Sequence, residues 1–335
     1  MTHRGNGLRV AIMTDEIGWH TRQLQRALRE RGGVGRCIDL ADCDIDTSAS
    51  VHGLVLPGCG RRLPDAVLVR GIAGGSFEQV TKRLTVLHAL LALGVPVYNE
   101  PRAIERSVDK AMTSLLLHAR GLPTPPTWVG EDSARARRQL VKAAAAGHAL
   151  VSKPLFGSQG KGLARVGQIE DRFEPLPDQP RGVAGPAGLH YLQRFLPAAA
   201  EGVPGHDWRV LVIGGRAVAA MRRVSEHWIH NVAQGARVEA AELTPELAGP
   251  AEAAAAALGL DYAGVDLMPV AEVQRRAGLA RIQILEVNGV AAWRGLQKVT
   301  GFNIARALVD DLIDRKLAAA TVSAQPRLLS LQRRA

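Results

Sequence analysis

Hydrophobic and polar positions in the first hundred residues alternate between two repeating patterns. Short apolar runs at residues 8–14, 66–71 and 95–99 are bounded by Gly, Pro or polar residues, which is typical of buried strands. Residues 19–31 and 77–93 place apolar side chains three and four positions apart and stop at glycines, which predicts amphipathic helices. Strands that alternate with helices through short connections indicate a parallel sheet with both faces covered.

Polar residues at the ends of these strands are the first candidates for function. Ligands bind open parallel sheets at the carboxyl ends of the strands. Arg70 and Asn99 stand at such ends, so both are candidate substrate contacts. For Arg70, a structural salt bridge is an equally good explanation.

The pattern changes after residue 100. It predicts a helix at 101–120, a strand at 149–154, mostly strands from His190 onward and a closing helix at 304–316. We therefore expect an α/β fold with these divisions: an N-terminal α/β domain at residues 1–100, a central subdomain at 101–188, a C-terminal subdomain at 189–318 and a basic, disordered tail at 319–335.

The composition is that of a soluble globular enzyme. Of the 335 residues, 47% are hydrophobic and 22% are charged. No cationic N-terminal region precedes a long apolar core, and the weakly polar stretch at 86–97 is too short to span a bilayer. We expect a cytoplasmic protein with no membrane partner. The three cysteines lack metal-ligand spacing and are expected to be structural thiols.

The net charge of +10 could indicate binding to nucleic acid. However, the arginines are scattered, aromatic residues make up only 4% of the chain, and no basic patch is interleaved with aromatic residues. An anionic small substrate explains the charge at least as well. We therefore expect no nucleic acid partner.

Two apolar, strand-like segments near the C-terminal end carry hard oxygen ligands. One contains Asp266, and the other contains Glu286 and Asn288. Carboxylates and an amide carbonyl suit a Mg²⁺ ion that also holds substrate phosphates. The alternative is that these polar residues simply terminate two strands.

A glycine-rich segment, residues 157–162, follows the predicted strand that contains Lys153. Its three glycines let backbone N–H groups approach phosphate oxygens, and Lys161 adds positive charge. Neither a Walker A loop nor a Rossmann fingerprint is present. By itself the segment fits a plain hairpin turn, but lysines are scarce in this chain, and a retained lysine can mark a phosphate site.

Three further segments accompany these motifs: Ser107-Val108-Asp109-Lys110, Leu192-Gln193-Arg194-Phe195-Leu196 and His206-Asp207-Trp208-Arg209. In this order the motifs resemble the ATP-grasp ligases over residues 99–316. The resemblance implies an α+β ATP-grasp fold, in which a parallel α/β pre-ATP-grasp domain precedes two antiparallel-sheet subdomains that clasp ATP. It also implies Mg²⁺, with Mn²⁺ as a substitute, on Asp266, Glu286 and Asn288. The implied ATP contacts are Lys110, Lys153, Gly157, Ser158, Gln159, Gly160, Lys161, Gln193, Arg194, Phe195, Leu196 and Asp207.

Within that superfamily the chain is most similar to the RimK-like α-L-glutamate ligases, through residues 207–210 and 264–267. Residues 231–235 read Asn-Val-Ala-Gln-Gly, where members that modify ribosomal protein have Asn-Leu-His-Arg-Gly. This departure disfavours a protein-modifying role. Three other segments look similar to the ligases that add glutamate to tetrahydromethanopterin: residues 69–71, 98–101 and 293–297.

The resemblance implies carboxylate–amine ligation. ATP phosphorylates a carboxylate, an amine attacks the acyl phosphate, and ADP and phosphate leave. The implied partners are L-glutamate and a carboxylate-bearing small molecule, in a homo-oligomer. Arg223, Arg209 and Lys153 are the implied catalytic groups, because positive charge must stabilise the transferring phosphoryl group and the oxyanion. The implied substrate contacts are Arg70, Asn231, Trp293 and Arg294.

Several alternatives remain open at this point. The ligase could act on a peptide or protein terminus, or the chain could be a nucleotide-binding regulatory protein without turnover. Arg223 could be a solvated strand charge. Trp293 could fill the core, although a tryptophan after the metal-bearing strand could also stack on a flat pterin-like substrate.

Overall fold

The computed structural model describes residues 7–48, 52–157, 159–177, 188–198, 203–276 and 278–322. The N-terminal domain contains strands β1 (Arg9–Met13), β2 (Val34–Ile38), β3 (Asp44–Ile45), β4 (Leu54–Val55), β5 (Ala66–Val69) and β6 (Val97–Tyr98), and helices α1 (Trp19–Glu30) and α2 (Phe77–Ala92). Four of these strands form a parallel sheet in the order β2-β1-β5-β6. The predicted parallel α/β domain is confirmed.

Alternate side chains of β1 enter two different cores. Val10 and Ile12 pack in the core that contains Leu24 and Leu28 of α1. Ala11 and Met13 pack in the core that contains side chains of α2. Because successive side chains of a strand point to opposite faces, both faces of the sheet are covered by helix.

The helix predicted at 101–120 is broken in two, at Asp109. Helix α3 spans Pro101–Val108, and α4 spans Lys110–Ala119. The Asp109 carboxylate accepts hydrogen bonds from the amides of Ala111 and Met112, at 2.8 and 3.0 Å. A side-chain oxygen that caps these amides starts a new helix, so Lys110 lies in the first turn of α4.

The central subdomain is an antiparallel sheet in the order β10-β9-β8-β11-β7. Its elements are β7 (Thr127–Gly130), α5 (Ser133–Ala145), β8 (Leu150–Lys153), β9 (Ala164–Ile169), β10 (Arg172–Glu174) and β11 (His190–Arg194). Strand β11 pairs with both β7 and β8. The predicted boundary at 188/189 would separate β11 from its sheet, so we propose a boundary between residues 194 and 205.

The C-terminal subdomain is a second antiparallel sheet, in the order β14-β13-β12-β15-β16. Its strands are β12 (Gly205–Ile213), β13 (Arg216–Ser225), β14 (Arg237–Ala241), β15 (Tyr262–Pro269) and β16 (Ile282–Asn288). Its helices are α6 (Pro245–Leu258), α7 (Glu272–Arg276), α8 (Arg294–Gln297) and α9 (Ile304–Asp311). Short 3₁₀ turns lie at Leu40–Asp42 and Val232–Gln234.

Helix α9 continues as a π-helix over Leu312–Leu317 and remains helical to Val322. The first four residues of the predicted tail, 319–322, are therefore helical. The remainder, 323–335, lies outside the described residues.

One face of the C-terminal sheet packs against α6. Val210 and Val265 lie in a core with Ala254, Ala255 and Leu258 of that helix. The neighbouring residues on β12 and β15 face the opposite way, because side chains alternate along a strand. That opposite face carries the charged residues described below. In the part of the chain that the structure describes, no helix is both long and apolar enough to cross a membrane.

Candidate active site

Four charged side chains from three adjacent strands form a buried network on the open face of the C-terminal sheet. The strand register places Asp207 opposite Arg223, and Arg209 opposite Asp266. Each opposed pair makes a two-pronged ion pair, at 2.7 and 2.5 Å for the first and 2.5 and 2.7 Å for the second. Arg223 also lies 3.0 Å from Asp266.

The side chains of this network are largely removed from water. Arg223 is 3% exposed, Asp207 is 4% and Asp266 is 3%, so a solvated strand charge does not describe Arg223. Burial opposes the ionisation of Asp266, but Arg209 and Arg223 outweigh it and lower the pKa of that carboxyl group. For Asp207, burial raises the pKa to about 6, against the opposing pull of Arg223.

The three predicted metal ligands come together on this face. Asp266 and Glu286 are directly opposed on β15 and β16, and Asn288 lies two residues after Glu286. Opposed residues have Cβ atoms about 5 Å apart, and residues two apart on a strand share a face. The Asn288 side-chain amide donates to the Gly264 carbonyl at 3.3 Å, so its Oδ1 is available to a cation.

This donor set fits a hard divalent cation. An ionised carboxylate, a second carboxylate and an amide oxygen are what Mg²⁺ takes when phosphates and water complete its shell. Within the described residues there is no cluster of three or more His, Cys, Asp or Glu residues that could hold a metal. The protein therefore offers only part of the coordination shell of a metal ion. Such a site suits a metal ion that is bound together with phosphates, which supply further oxygen ligands.

Two lysines lie beside the carboxylates. Lys110 Nζ lies 3.8 Å from Glu286 and donates to the Gly157 carbonyl at 2.8 Å. Lys153 Nζ donates to Gln193 Oε1 at 2.6 Å and lies 5.9 Å from the centre of the Tyr191 ring. Burial lowers the pKa of Lys153 to about 8, with Lys110 adding to the effect and Glu286 opposing it.

The segment after Lys153 lies across the site. A cavity of about 60 Å³ is lined by both lysines, Glu286, Asn231 and this segment. Gln234 Nε2 donates to the Gln159 carbonyl at 3.2 Å, which ties the segment to the C-terminal subdomain. The two lysines give this cavity the positive charge that phosphate oxygens require. The remaining ATP-binding candidates here are Gly160 and Lys161, which line the cavity, and Ser158, which lies outside the described residues.

The segment 193–196 connects the two subdomains. The Arg194 amide donates to the Pro126 carbonyl and the Phe195 amide to the Ala149 carbonyl, both at 2.9 Å. Leu196 is buried with Met268 and Val270. These two amides are therefore already used within the protein, and the Leu196 side chain is buried in a core.

The predicted stacking role of Trp293 is wrong. Trp293 is only 1% exposed and belongs to the core that includes Ile12 and Leu28. Its ring is packed edge-on against Trp19 and His20, with centroids 4.8 Å from each. The residue next to it, Arg294, is exposed.

Arg70 and Asn99, the two predicted substrate contacts at strand ends, have different environments. Arg70 is partly buried and donates to the Val290 carbonyl at 3.1 Å. Asn99 is fully buried and bonds only to backbone groups of Asp261, Tyr262 and Gly289. Asn99 is therefore a structural residue, and the prediction of a substrate contact at this position is wrong.

Sequence reasoning missed two further residues near the site. His20 contacts the backbone at 293–294, and Gln234 holds the glycine-rich segment. A lone histidine in a helix and a glutamine in a loop carry no motif, so only their partners in the fold reveal them.

The fold and the motifs agree with comparisons to known proteins. The RimK PreATP-grasp domain matches residues 8–104, and the RimK-like ATP-grasp domain matches residues 107–312. The chain is similar to the tetrahydromethanopterin:alpha-L-glutamate ligase of Methanosarcina acetivorans, with 32% identity over 90% of this chain and 97% of that protein. It is also similar to the ribosomal protein bS6–L-glutamate ligase of Salmonella paratyphi B, with 30% identity over 90% of this chain and 94% of that protein.

Among solved structures, the ATP-grasp ligase PsnB, in complex with a variant of its minimal precursor, Mg and ADP, has a similar fold. The TM-score is 0.67 at 22% identity, over 93% of this chain and all of that one. The antiparallel subdomains and the preceding parallel domain are thus those of this superfamily. The chain belongs to the RimK-like ATP-grasp family and is an ADP-forming ATP-grasp ligase.

Proposed function

We propose that this ligase adds L-glutamate to a carboxylate-bearing small molecule of the tetrahydromethanopterin type, through an acyl phosphate. The observation that carries the proposal is the arrangement of Arg223, Asp266 and Glu286 on one sheet face, with Lys110 and Lys153 beside them. The choice of substrates is supported by the methanopterin-ligase relative, which this chain matches over nearly its whole length.

The two lysines would bind the phosphates of ATP. Lys153 is held by Gln193, and Lys110 already contacts the backbone of the glycine-rich segment. The backbone amides of Gly157, Gln159, Gly160 and Lys161 would cover the phosphates. The segment 193–196, which connects the two subdomains, would lie beside the adenine.

Asp266, Glu286 and Asn288 would hold Mg²⁺. When bound, that ion neutralises phosphate charge during phosphoryl transfer. Arg209 holds both oxygens of Asp266, so we propose that it orients this ligand. We also propose that Mn²⁺ can replace Mg²⁺, because the ligands are all oxygen.

Arg223 would stabilise the acyl phosphate and the oxyanion that forms when the amine attacks. Its Nε and Nη2 are held by Asp207 and Asp266, while Nη1 makes no hydrogen bond to a described residue. Because the aspartates fix the guanidinium on one side, its free N–H edge can bind the developing oxyanion without rearrangement of the side chain. Both oxygens of Asp207 are used by Arg223, so we propose that Asp207 positions this arginine.

Arg70, Arg294 and Asn231 remain the proposed substrate contacts. Asn231 lines the cavity beside the lysines. Arg70 donates to the Val290 carbonyl in the loop that follows Asn288, and Arg294 begins the helix after that loop. Cationic groups at this place suit substrates that are carboxylates.

The test is a ligation assay with ATP, Mg²⁺, L-glutamate and a tetrahydromethanopterin-type acceptor, read by mass spectrometry. We expect a product heavier than the acceptor by one glutamate less water, together with one ADP for each bond formed. ADP release without a glutamyl product would contradict the proposal.

A peptide or protein acceptor is the competing possibility, because one relative is named for a ribosomal protein substrate. The same assay with peptides in place of the small molecule decides between them. We further propose that the enzyme is a homo-oligomer that needs no nucleic acid and works in the cytoplasm. Light scattering and nuclease treatment would test the first two points.

A further inference from the structure

Three side chains surround the loop that leaves the metal-bearing strand. Arg70 donates to Val290 in that loop, while its Nε is buried and has no partner among the described residues. Arg294 is exposed, with its guanidinium carbon 6.0 Å from the centre of the Trp19 ring. His20 lies close enough to both arginines for their charges to act on it.

This group carries two positive charges. Neither Arg70 nor Arg294 makes an ion pair within 4.0 Å with a carboxylate among the described residues, although Asp15 Oδ1 lies against the backbone of Gly71, next to Arg70. By contrast, the partly buried Arg31 and the buried Arg223 pair with aspartates. Two adjacent cations and an unused buried N–H are therefore suited to an anion that is not part of the protein.

His20 fixes the position of Arg294. Its Nε2 accepts hydrogen bonds from the amides of Trp293 and Arg294, both at 3.2 Å. The ring is held edge-on between Trp19 and Trp293, at 5.1 and 4.8 Å. Burial lowers the pKa of His20 to about 4, with Arg70 and Arg294 adding to the effect. Nε2 is thus free to accept at neutral pH.

We propose that Arg70 and Arg294 bind the carboxylates of the incoming amino acid, and that His20 is the positioning residue for Arg294. This inference rests on the proposed function. The activated carboxylate of the acceptor must meet Arg223 and the lysines on the C-terminal sheet. Arg70 and Arg294 both lie at the loop of residues 289–294, which directly follows Asn288, and there they can hold the second substrate.

The charge of the pair also suits the nucleophile. L-Glutamate has two carboxylates, which two arginines can anchor separately. Its amine must lose a proton before it can attack, and nearby positive charge disfavours the ammonium form. A cationic site therefore both binds the carboxylates of the amino acid and favours the neutral amine, which is the form that attacks.

Steady-state kinetics with each substrate varied in turn tests the assignment. Arg294→Gln and His20→Phe should each raise KM for L-glutamate about 10- to 100-fold, the loss expected for a charged hydrogen bond, while KM for ATP stays unchanged. His20→Gln should restore most of the affinity, because the glutamine oxygen can replace the Nε2 acceptor. Arg29→Gln removes the same charge from an exposed site on α1 and should have no effect.

The outcomes separate the two proposals. Wild-type ligation combined with an unchanged KM for L-glutamate in Arg294→Gln, or a rise only in KM for the acceptor, would overturn the assignment. If His20→Gln is as impaired as His20→Phe, the acceptor role of Nε2 is wrong. Absence of any glutamyl product from the wild type would instead sink the proposed function, and this assignment with it. Tryptophan fluorescence, through Trp19 and Trp293, gives a direct titration with L-glutamate that does not depend on turnover.

Discussion

Replacing Asn99 by aspartate tests how the N-terminal domain is fixed to the end of β16. The Asn99 Nδ2 donates to the carbonyls of Tyr262 and Gly289, at 2.8 and 2.6 Å. Its Oδ1 accepts from the amides of Asp261 and Tyr262, at 2.6 and 3.0 Å. Aspartate has the same shape and keeps the acceptor, but it offers the two carbonyls no donor when ionised.

The cost follows from these contacts. Asn99 is fully buried, so each carbonyl that loses its partner costs about 1–3 kcal/mol. We expect the free energy of unfolding to fall by about 2–6 kcal/mol. That is a large share of the roughly 5–15 kcal/mol that stabilises a typical domain. Because Gly289 directly follows Asn288, we also expect the Mg²⁺ concentration needed for half-maximal activity to rise.

Urea denaturation measures the change in the free energy of unfolding. Burial beside two carbonyl oxygens should raise the pKa of the new carboxyl group in the folded state. The folded state then binds a proton more readily than the unfolded state. The deficit in stability should therefore be smallest at low pH and should grow as the pH rises through the raised pKa.

The matched control is Asn303→Asp. The Asn303 Oδ1 accepts from the Arg306 amide at 3.0 Å at the start of α9, and aspartate caps helices equally well. This variant should match the wild type. If Asn99→Asp also stays within about 0.5 kcal/mol of the wild type, the range of ordinary surface changes, the four-bond account of Asn99 is refuted.

Three further predictions concern the chemistry. Arg223→Lys keeps the positive charge, but a lysine cannot bind two aspartates and also offer a free N–H to the substrate, so kcat should fall about 100- to 1000-fold. The control Arg222→Lys changes a half-exposed ion pair with Glu239 and should leave kcat unchanged. Equal effects of the two substitutions on kcat would contradict the role of Arg223. The negative charge of nucleotide phosphates should raise the pKa of Lys153 from about 8. Calorimetry in buffers of different ionisation enthalpy should therefore show proton uptake when ATP binds above pH 8, and little uptake well below pH 8. The Lys153→Met variant should show no such uptake. Glu286→Gln should raise the Mg²⁺ requirement about 10-fold or more, and an unchanged Mg²⁺ titration would exclude Glu286 as a ligand.

The strands and helices of the N-terminal domain were predictable because one physical signal governs them. Apolar side chains recur in residues 8–14 with the spacing of a strand and in residues 77–93 with the spacing of a helix. Burial of these side chains stabilises the fold, and it also produces the pattern that is visible in the sequence. The ligand-bearing strands were predictable for the same reason. Local capping was not: Asp109 ends one helix and starts the next, and a side chain that bonds two amides leaves no trace in the hydrophobic period.

Trp293 and Asn99 show what the sequence could not decide. A tryptophan beside an arginine and an asparagine at a strand end both fit a binding site, yet both are buried between domains. Whether such a side chain meets a substrate or another part of the chain depends on contacts between residues nearly two hundred positions apart.

The sequence by itself determined the family and the order of the domains, and it supplied the proposed oxygen ligands and lysines, because these depend on residue type and local spacing. The tertiary structure alone decided that Arg223 and Arg209 are locked by opposed aspartates, and that Arg70, Arg294 and His20 meet at one loop. Those facts follow from strand register and domain packing, which bring distant charges within hydrogen-bond distance and remove them from water.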